Sequence, residues 1–195
     1  MASRALGEWQ VDASAAFDEI ENAHRAVGGV KPGRRFLTQQ LNYAYTTLLA
    51  ARFQGFVRAL HTQTVDAIAD GAHNAAYRRL LRESLAWGRA LDRHNAQPNS
   101  IEDDFSRFGL NVWSQVDRER SGNDERRKKL WALITWRNAI AHDDIDIKLT
   151  RGALDPVTVS LGTCRTWRST LNVLATSLDK VAADHCQTLG LPRPW

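Results

Sequence analysis

Cysteine, metal-ligand clusters and long apolar runs are what this sequence has least of. Two cysteines, Cys164 and Cys186, occur in 195 residues. They are too few for a disulfide framework and too far apart for a metal knuckle, so both read as inert thiols. There is no His-x-x-x-His with a third ligand, no paired-carboxylate site and no Cys-x-x-Cys. No metal and no cofactor is therefore expected. No stretch approaches the ~20 uninterrupted apolar residues of a membrane span, and Met1 to Gln10 lacks the apolar segment of a secretory leader. The expectation is a cytoplasmic protein with no membrane partner. Linkers, repeats and low-complexity segments are also missing, which predicts a single helical domain over 1–190 with a short C-terminal tail, 191–195.

Lysine is scarce as well: 5 Lys stand beside 21 Arg. The net charge is only +4, and 43% of residues are apolar, which excludes a disordered chain and provides for a core. Arginine suits bidentate phosphate recognition, so the imbalance permits nucleic-acid binding. A GC-rich coding sequence would raise arginine in the same way.

Apolar periodicity predicts mostly helices. Phe17, Ile20, His24 and Val27 mark a first helix over 8–26, ended by Gly28-Gly29 and Lys31-Pro32-Gly33. From Arg34 to about Asp70 two stripes run along one long helix. Leu37, Leu41, Ala44, Leu48 and Ala51 form one; Leu49, Phe53, Phe56 and Leu60 form the other. A third helix is predicted from His73 to about Leu91, a loop over 95–100, and short helical turns over 101–116. Ser121-Gly122-Asn123 is a turn signal, and Asp124 is a candidate cap for a helix over 125–142. Ile145 to Leu149 and Val157 to Leu161 alternate around Gly152 and Asp155-Pro156, as in a small β-hairpin. The last helix, about 163–189, carries the seam Trp167, Leu171, Leu174, Leu178, Val181 and His185. The expected fold is all-α: an antiparallel helical bundle with a β-hairpin inserted before its final helix.

The informative segment runs from Leu130 to Asp144. At about 100° per residue, Leu130, Leu133, Ile134, Ile140 and Ala141 share a face with Arg137 in its middle. A guanidinium there cannot deprotonate, so it requires a carboxylate, a phosphate or a wet crevice. On an adjacent face Trp131, Thr135, Asn138 and His142 align, and Asn138 and His142 stand at hydrogen-bonding spacing. Asp143 and Asp144 follow where the helix dipole disfavours negative charge. Next to His142 they would favour the imidazolium, as a general acid or phosphate ligand requires. The simpler reading makes His142 a C-terminal cap and Arg137 an ion-paired core residue.

Arg137-Asn138-Ala139-Ile140-Ala141-His142 resembles the Arg-x4-6-His signature of the HEPN superfamily. With the long helix containing Ala51-Arg52-Phe53-Gln54-Gly55-Phe56-Val57, the chain resembles the branch often called RiboL-PSP-HEPN. A second match to the spacing, Arg89 to His94, lacks the Asn after Arg and the small apolar approach to His. The resemblance implies a metal-independent endoribonuclease of the toxin or antiviral-defence kind, acting as a homodimer with Arg137 and His142 of each copy in one composite site. Asn138 would orient His142 or hold RNA. An acidic residue on a neighbouring helix would contact Arg137; Gln54 stands where it was sought, and Asp66, Asp70, Asp103 and Asp104 are candidates. A cognate antitoxin or defence-system partner is implied, although Asp144 occupies the place of the tyrosine that nucleotidyltransferase antitoxins modify. A non-catalytic HEPN-like module binding RNA, a nucleotide or a protein is the alternative.

Two basic clusters complete the candidate RNA contacts. Arg126, Arg127 and Lys128, within the run ending at Lys129, precede the motif helix; Arg78, Arg79 and Arg82, with Arg89 and Arg93, are less neutralised in sequence. Each could instead be a solvated face. Trp131, beside His142, could stack a base or pack at an interface. Trp87, Trp136 and Trp167 are expected in the core.

Overall fold

A computed structural model describes residues 1–27 and 34–195. The predicted stop at 28–33 lies outside the described residues. Helix α1 (Arg4–Glu8) runs through a π-helical turn (Trp9–Ala13) into α2 (Ser14–Val27). The long α3 (Arg34–Asp70) has the boundaries that its periodicity predicts. It is followed by α4 (Ala75–Ala86), α5 (Ala90–Arg93), α6 (Pro98–Ser106) and α7 (Val112–Glu119). The motif helix is α8 (Asn123–His142); then come α9 (Ile145–Thr150) and α10 (Leu161–Thr188).

Helices α3, α8 and α10 pack on one another, and α1 and α2 close over α3. Of the two stripes on α3, the aromatic one makes the core: Leu49, Phe53, Phe56 and Leu60 are buried, whereas Leu37, Ala44 and Ala51 face solvent. The α10 seam is buried from Trp167 to Val181, and His185 ends it with Nε2 at 3.0 Å from the Phe108 carbonyl. Both cysteines are buried, and burial pushes the Cys164 thiol up to about 11, as expected of an unreactive sulfur. No helix among the described residues is long and apolar enough to cross a membrane.

No strand occurs among the described residues, so the predicted hairpin is corrected. Ile145, Ile147 and Leu149 alternate, but Ile145 and Leu149 are also one helical turn apart. Those two pack on the core while Ile147 is exposed, and Asp144 pairs with Lys148 across the same turn at 3.4 Å. The second half of the hairpin is a bend over 157–158 and a short lead-in whose Val159 carbonyl accepts from the Asn42 and Gln39 amides, after which Ser160 and Thr163 cap α10 reciprocally. Two smaller expectations also change. Asn123, not Asp124, secures the start of α8, its buried amide donating to the Val116 carbonyl and Ser177 Oγ. Trp136 and Trp167 are buried, but Trp87 is 84% exposed. The C-terminal segment folds back: Trp195 packs against the core and Arg193 pairs with Asp184 at 2.9 Å.

Candidate functional site

Helix α8 divides its residues as the sequence suggests. Leu130, Leu133, Ile134, Trp136 and Ala139 are buried, Trp131 and His142 are exposed, and Arg137 is half-buried between them. Ala141, predicted on the buried face, is exposed. Arg137 opens onto a polar cleft of about 450 Å³ lined by Gln54, Asp92, Arg93, His94, Asn95, Gln97, Arg137 and Asn138. It is the wet crevice that a cation on an apolar face requires.

Three elements build the cleft. From α3, Gln54 Nε2 donates to the carbonyls of Leu91 and His94, both at 2.9 Å. Those bonds fix the turn after α5. Its other end is held by Asp104, a buried carboxylate of α6 that accepts from the backbone amides of Ala90 at 2.7 Å and Leu91 at 2.9 Å. The four-residue α5 has no side-chain cap of its own, so this carboxylate satisfies its orphan donors. From α8, Asn138 Oδ1 accepts from Asn95 Nδ2 at 2.7 Å and from Arg137 Nη1 at 3.3 Å. Asn138 thus orients Arg137 and ties α8 to the loop. It does not bond His142, which corrects the pairing expected from their spacing.

The electrostatics favour an anion. Asp92 is the one carboxylate lining the cleft among the described residues, and two guanidiniums hold it: Arg58 at 2.8 Å and Arg89 at 3.1 Å. Burial pushes the Asp92 carboxyl up, but Arg89 and Arg58 outweigh it and keep it below the usual range. Arg137 has no carboxylate partner among the described residues. Asp66 and Asp70 are engaged with Arg82, Asp104 caps α5, and Asp103 does not pair with Arg137. The acidic partner expected on a neighbouring helix is therefore not found among the described residues; Gln54 lines the same cleft, but its amide is spent on the Leu91 and His94 carbonyls.

His142 lies outside the cleft. It is exposed at the last position of α8, and its ring makes no hydrogen bond among the described residues. The acidic pair after it has a geometric cause. Asp143 adopts the left-handed conformation, φ 54°, which Asp tolerates better than most side chains, and its N–H and that of Asp144 both return to the Ala139 carbonyl. Asp144 then leads into α9.

Most of the predicted RNA contacts are already engaged. Arg82 is held by Asp66 and Asp70, Arg79 by Glu83, and Arg78 donates to the Ala72 carbonyl. Arg126 closes the turn before α8 through Ser121 and Asn123, Arg127 pairs with Asp117 over the Trp113 ring, and Lys128 pairs with Glu125. Arg79, Arg82, Arg127 and Lys128 thus carry carboxylate partners, whereas Arg78, Arg93 and Arg126 bond only carbonyl or amide oxygens among the described residues; Trp131 stays open at 50% exposure. Sequence reasoning placed Arg93 in the second basic cluster and missed His94 and Asn95 as its neighbours in the cleft. The signal was present in the second Arg-x4-His match, set aside because its neighbours are not those of the first.

Among the described residues no group of three or more His, Cys, Asp or Glu side chains is placed to hold a metal ion. No family model, curated protein or solved structure matches the chain.

Proposed function

We propose that the protein is a metal-independent endoribonuclease of the HEPN kind, an antiparallel helical bundle working as a homodimer in toxin action or antiviral defence. The observation that carries the reading is Arg137: a half-buried guanidinium, oriented by Asn138, unpaired with any carboxylate among the described residues, and open to a cleft large enough for a nucleotide unit. RNA self-cleavage needs little more. The 2′-oxygen attacks phosphorus, the phosphorus to 5′-oxygen bond breaks, one imidazole takes the 2′-hydroxyl proton, and a second gives a proton to the 5′-oxygen. The guanidinium stabilises the charge gathering on the phosphorane.

The dimer rests on the stripe that carries His142. Trp131 and His142 are exposed along α8, with Thr135 and Asn138 half-buried between them and Ile147 of α9 exposed beyond. An open indole in line with the histidine suits a face covered by a second copy, which would bring His142 of one chain to the Arg137 cleft of the other. RNA cleavage in excess EDTA, lost in Arg137→Ala and in His142→Ala, is the expected result. The second reading, an RNA-binding module without catalysis, is favoured by the separation of His142 from the cleft within one chain. Under it, both variants lose RNA affinity and no cleavage accompanies binding.

A further inference from the structure

We propose that the loop after α5 completes the Arg137 cleft as a binding site for one phosphodiester of single-stranded RNA, with Arg93 and His94 contacting the phosphate beside Arg137 of the same chain. The proposal rests on the reading of Arg137 as a phosphate ligand and adds two residues and a strandedness to it.

The first argument is donor accounting. A guanidinium carries five N–H donors. Arg137 commits Nη1 to a long 3.3 Å bond with Asn138, and Arg93 commits Nη2 to the Gly88 carbonyl at 2.9 Å. Neither pairs with a carboxylate among the described residues, and the Asp92 carboxylate that lines the same cleft is held between Arg58 and Arg89. His94 lines the cleft; its backbone is engaged, the N–H donating to the Ala90 carbonyl and the carbonyl accepting from Gln54, while its ring makes no hydrogen bond among the described residues. Three nitrogen-bearing side chains therefore share one opening with donors to spare. Their complement is an anion with several acceptor oxygens, and a phosphate provides it.

The second argument is preorganisation. The loop does not need to order on binding, since Gln54, Asp104 and Asn138 hold it from α3, α6 and α8. A ligand then gains its contacts without the entropy cost of fixing the loop. The third argument concerns strandedness. Trp87 is 84% exposed, immediately before the glycine whose carbonyl holds Arg93. The backbone there is clamped by Arg107, which donates to the carbonyls of Trp87 and Gly88. An open indole on a clamped backbone, one residue from the carbonyl that holds the Arg93 guanidinium, suits a splayed base, and unstacked bases belong to single strands.

The test is an NMR titration of the whole protein at low salt, following the histidine rings. The probes are inorganic phosphate and a single-stranded 2′-deoxyhexanucleotide, which cannot be cleaved through a 2′-hydroxyl. Both should shift the His94 ring, and Arg137→Gln or Arg93→Ala should weaken each probe by at least about tenfold. Trp87→Ala should weaken the oligonucleotide alone. Arg93 and Trp87 are exposed, so these variants keep the fold even if Arg137→Gln does not. An unmoved His94 ring, or a shift indifferent to both arginine variants, overturns the site. A response to phosphate without one to the oligonucleotide overturns the diester in favour of a free or terminal phosphate. An oligonucleotide response unchanged in Trp87→Ala overturns the single-strand assignment. Because neither probe is turned over, the outcome is separate from RNA cleavage: loss of the nuclease reading leaves this site standing, and an effect of Arg137→Gln without one of Arg93→Ala or a His94 shift removes the added contacts while leaving the nuclease reading.

Discussion

Arg137 and Asn138 define the account at the scale of single residues. A carboxylate in place of the Asn138 amide would pair with Arg137 and fill its charge from within. Asn138→Asp is therefore expected to fold and to lose RNA cleavage by at least about tenfold, measured as initial rates beside wild type. Equal rates would remove Arg137 from the chemistry. His61 offers a residue-scale test of stability. It is fully buried against Phe105 and Phe108, its Nε2 lies 3.1 Å from the Asp104 carbonyl, and Nδ1 has no partner. Burial depresses its pKa from 6.5 to about 4. The folded state thus prefers the neutral ring, and the unfolded chain binds the proton first. The stabilisation is complete above pH 6.5, falls as pH drops towards 4, and amounts to ~3 kcal/mol. Urea unfolding at pH 7 and pH 5 should show the loss in wild type, and His61→Phe should lack that component. A pH response unchanged in His61→Phe would contradict it.

At the scale of elements, the cleft depends on α5, which is too short to hold itself. Asp104→Ala leaves two backbone amides unsatisfied and is expected to destabilise the protein by about 2–3 kcal/mol. Amide exchange over 89–96 should accelerate more than exchange in α10, whereas a uniform change would mean that the carboxylate supports the core and not the loop. The elements also show where the sequence was readable. Helices α3 and α10 were legible because their periodicity persists over many turns, and the capping residues of α10 agree with it. The segment Ile145 to Leu149 was not, since five residues with apolar side chains at 145, 147 and 149 satisfy a strand and also one helical turn through 145 and 149. Only the packing of Ile145 and Leu149 decides between them. Arg137 was legible as an anomaly, a cation on an apolar face. Asn138 and Gln54 were named with it, but the α5 loop was not, because His94 and Asn95 meet them only when α3, that loop and α8 are docked. The partners of Arg82 were hidden for the same reason: it looks free in sequence, yet Asp66 and Asp70 reach it from the helix beside it.

For the whole molecule, the question is whether one chain suffices. Within a single chain, Arg137 opens onto the polar cleft while His142 faces outwards on a stripe with Trp131. A composite site joins them only through a second copy. Sedimentation should give the mass of two chains for wild type and of one for Trp131→Glu, with unchanged helical circular dichroism. Cleavage should fall with the dimer. A wild type that remains monomeric at the concentrations where it cleaves RNA would place the complete chemistry inside one chain. His94 would then be the imidazole to substitute.

The most direct test of the central claim is to incubate wild type, Arg137→Ala and His142→Ala with single-stranded RNA in excess EDTA and to analyse the product ends. Cleavage by wild type alone, leaving 2′,3′-cyclic phosphates and 5′-hydroxyls, is the predicted result. Undiminished cleavage by Arg137→Ala, or RNA left intact by a dimeric wild type that binds it, would contradict the account.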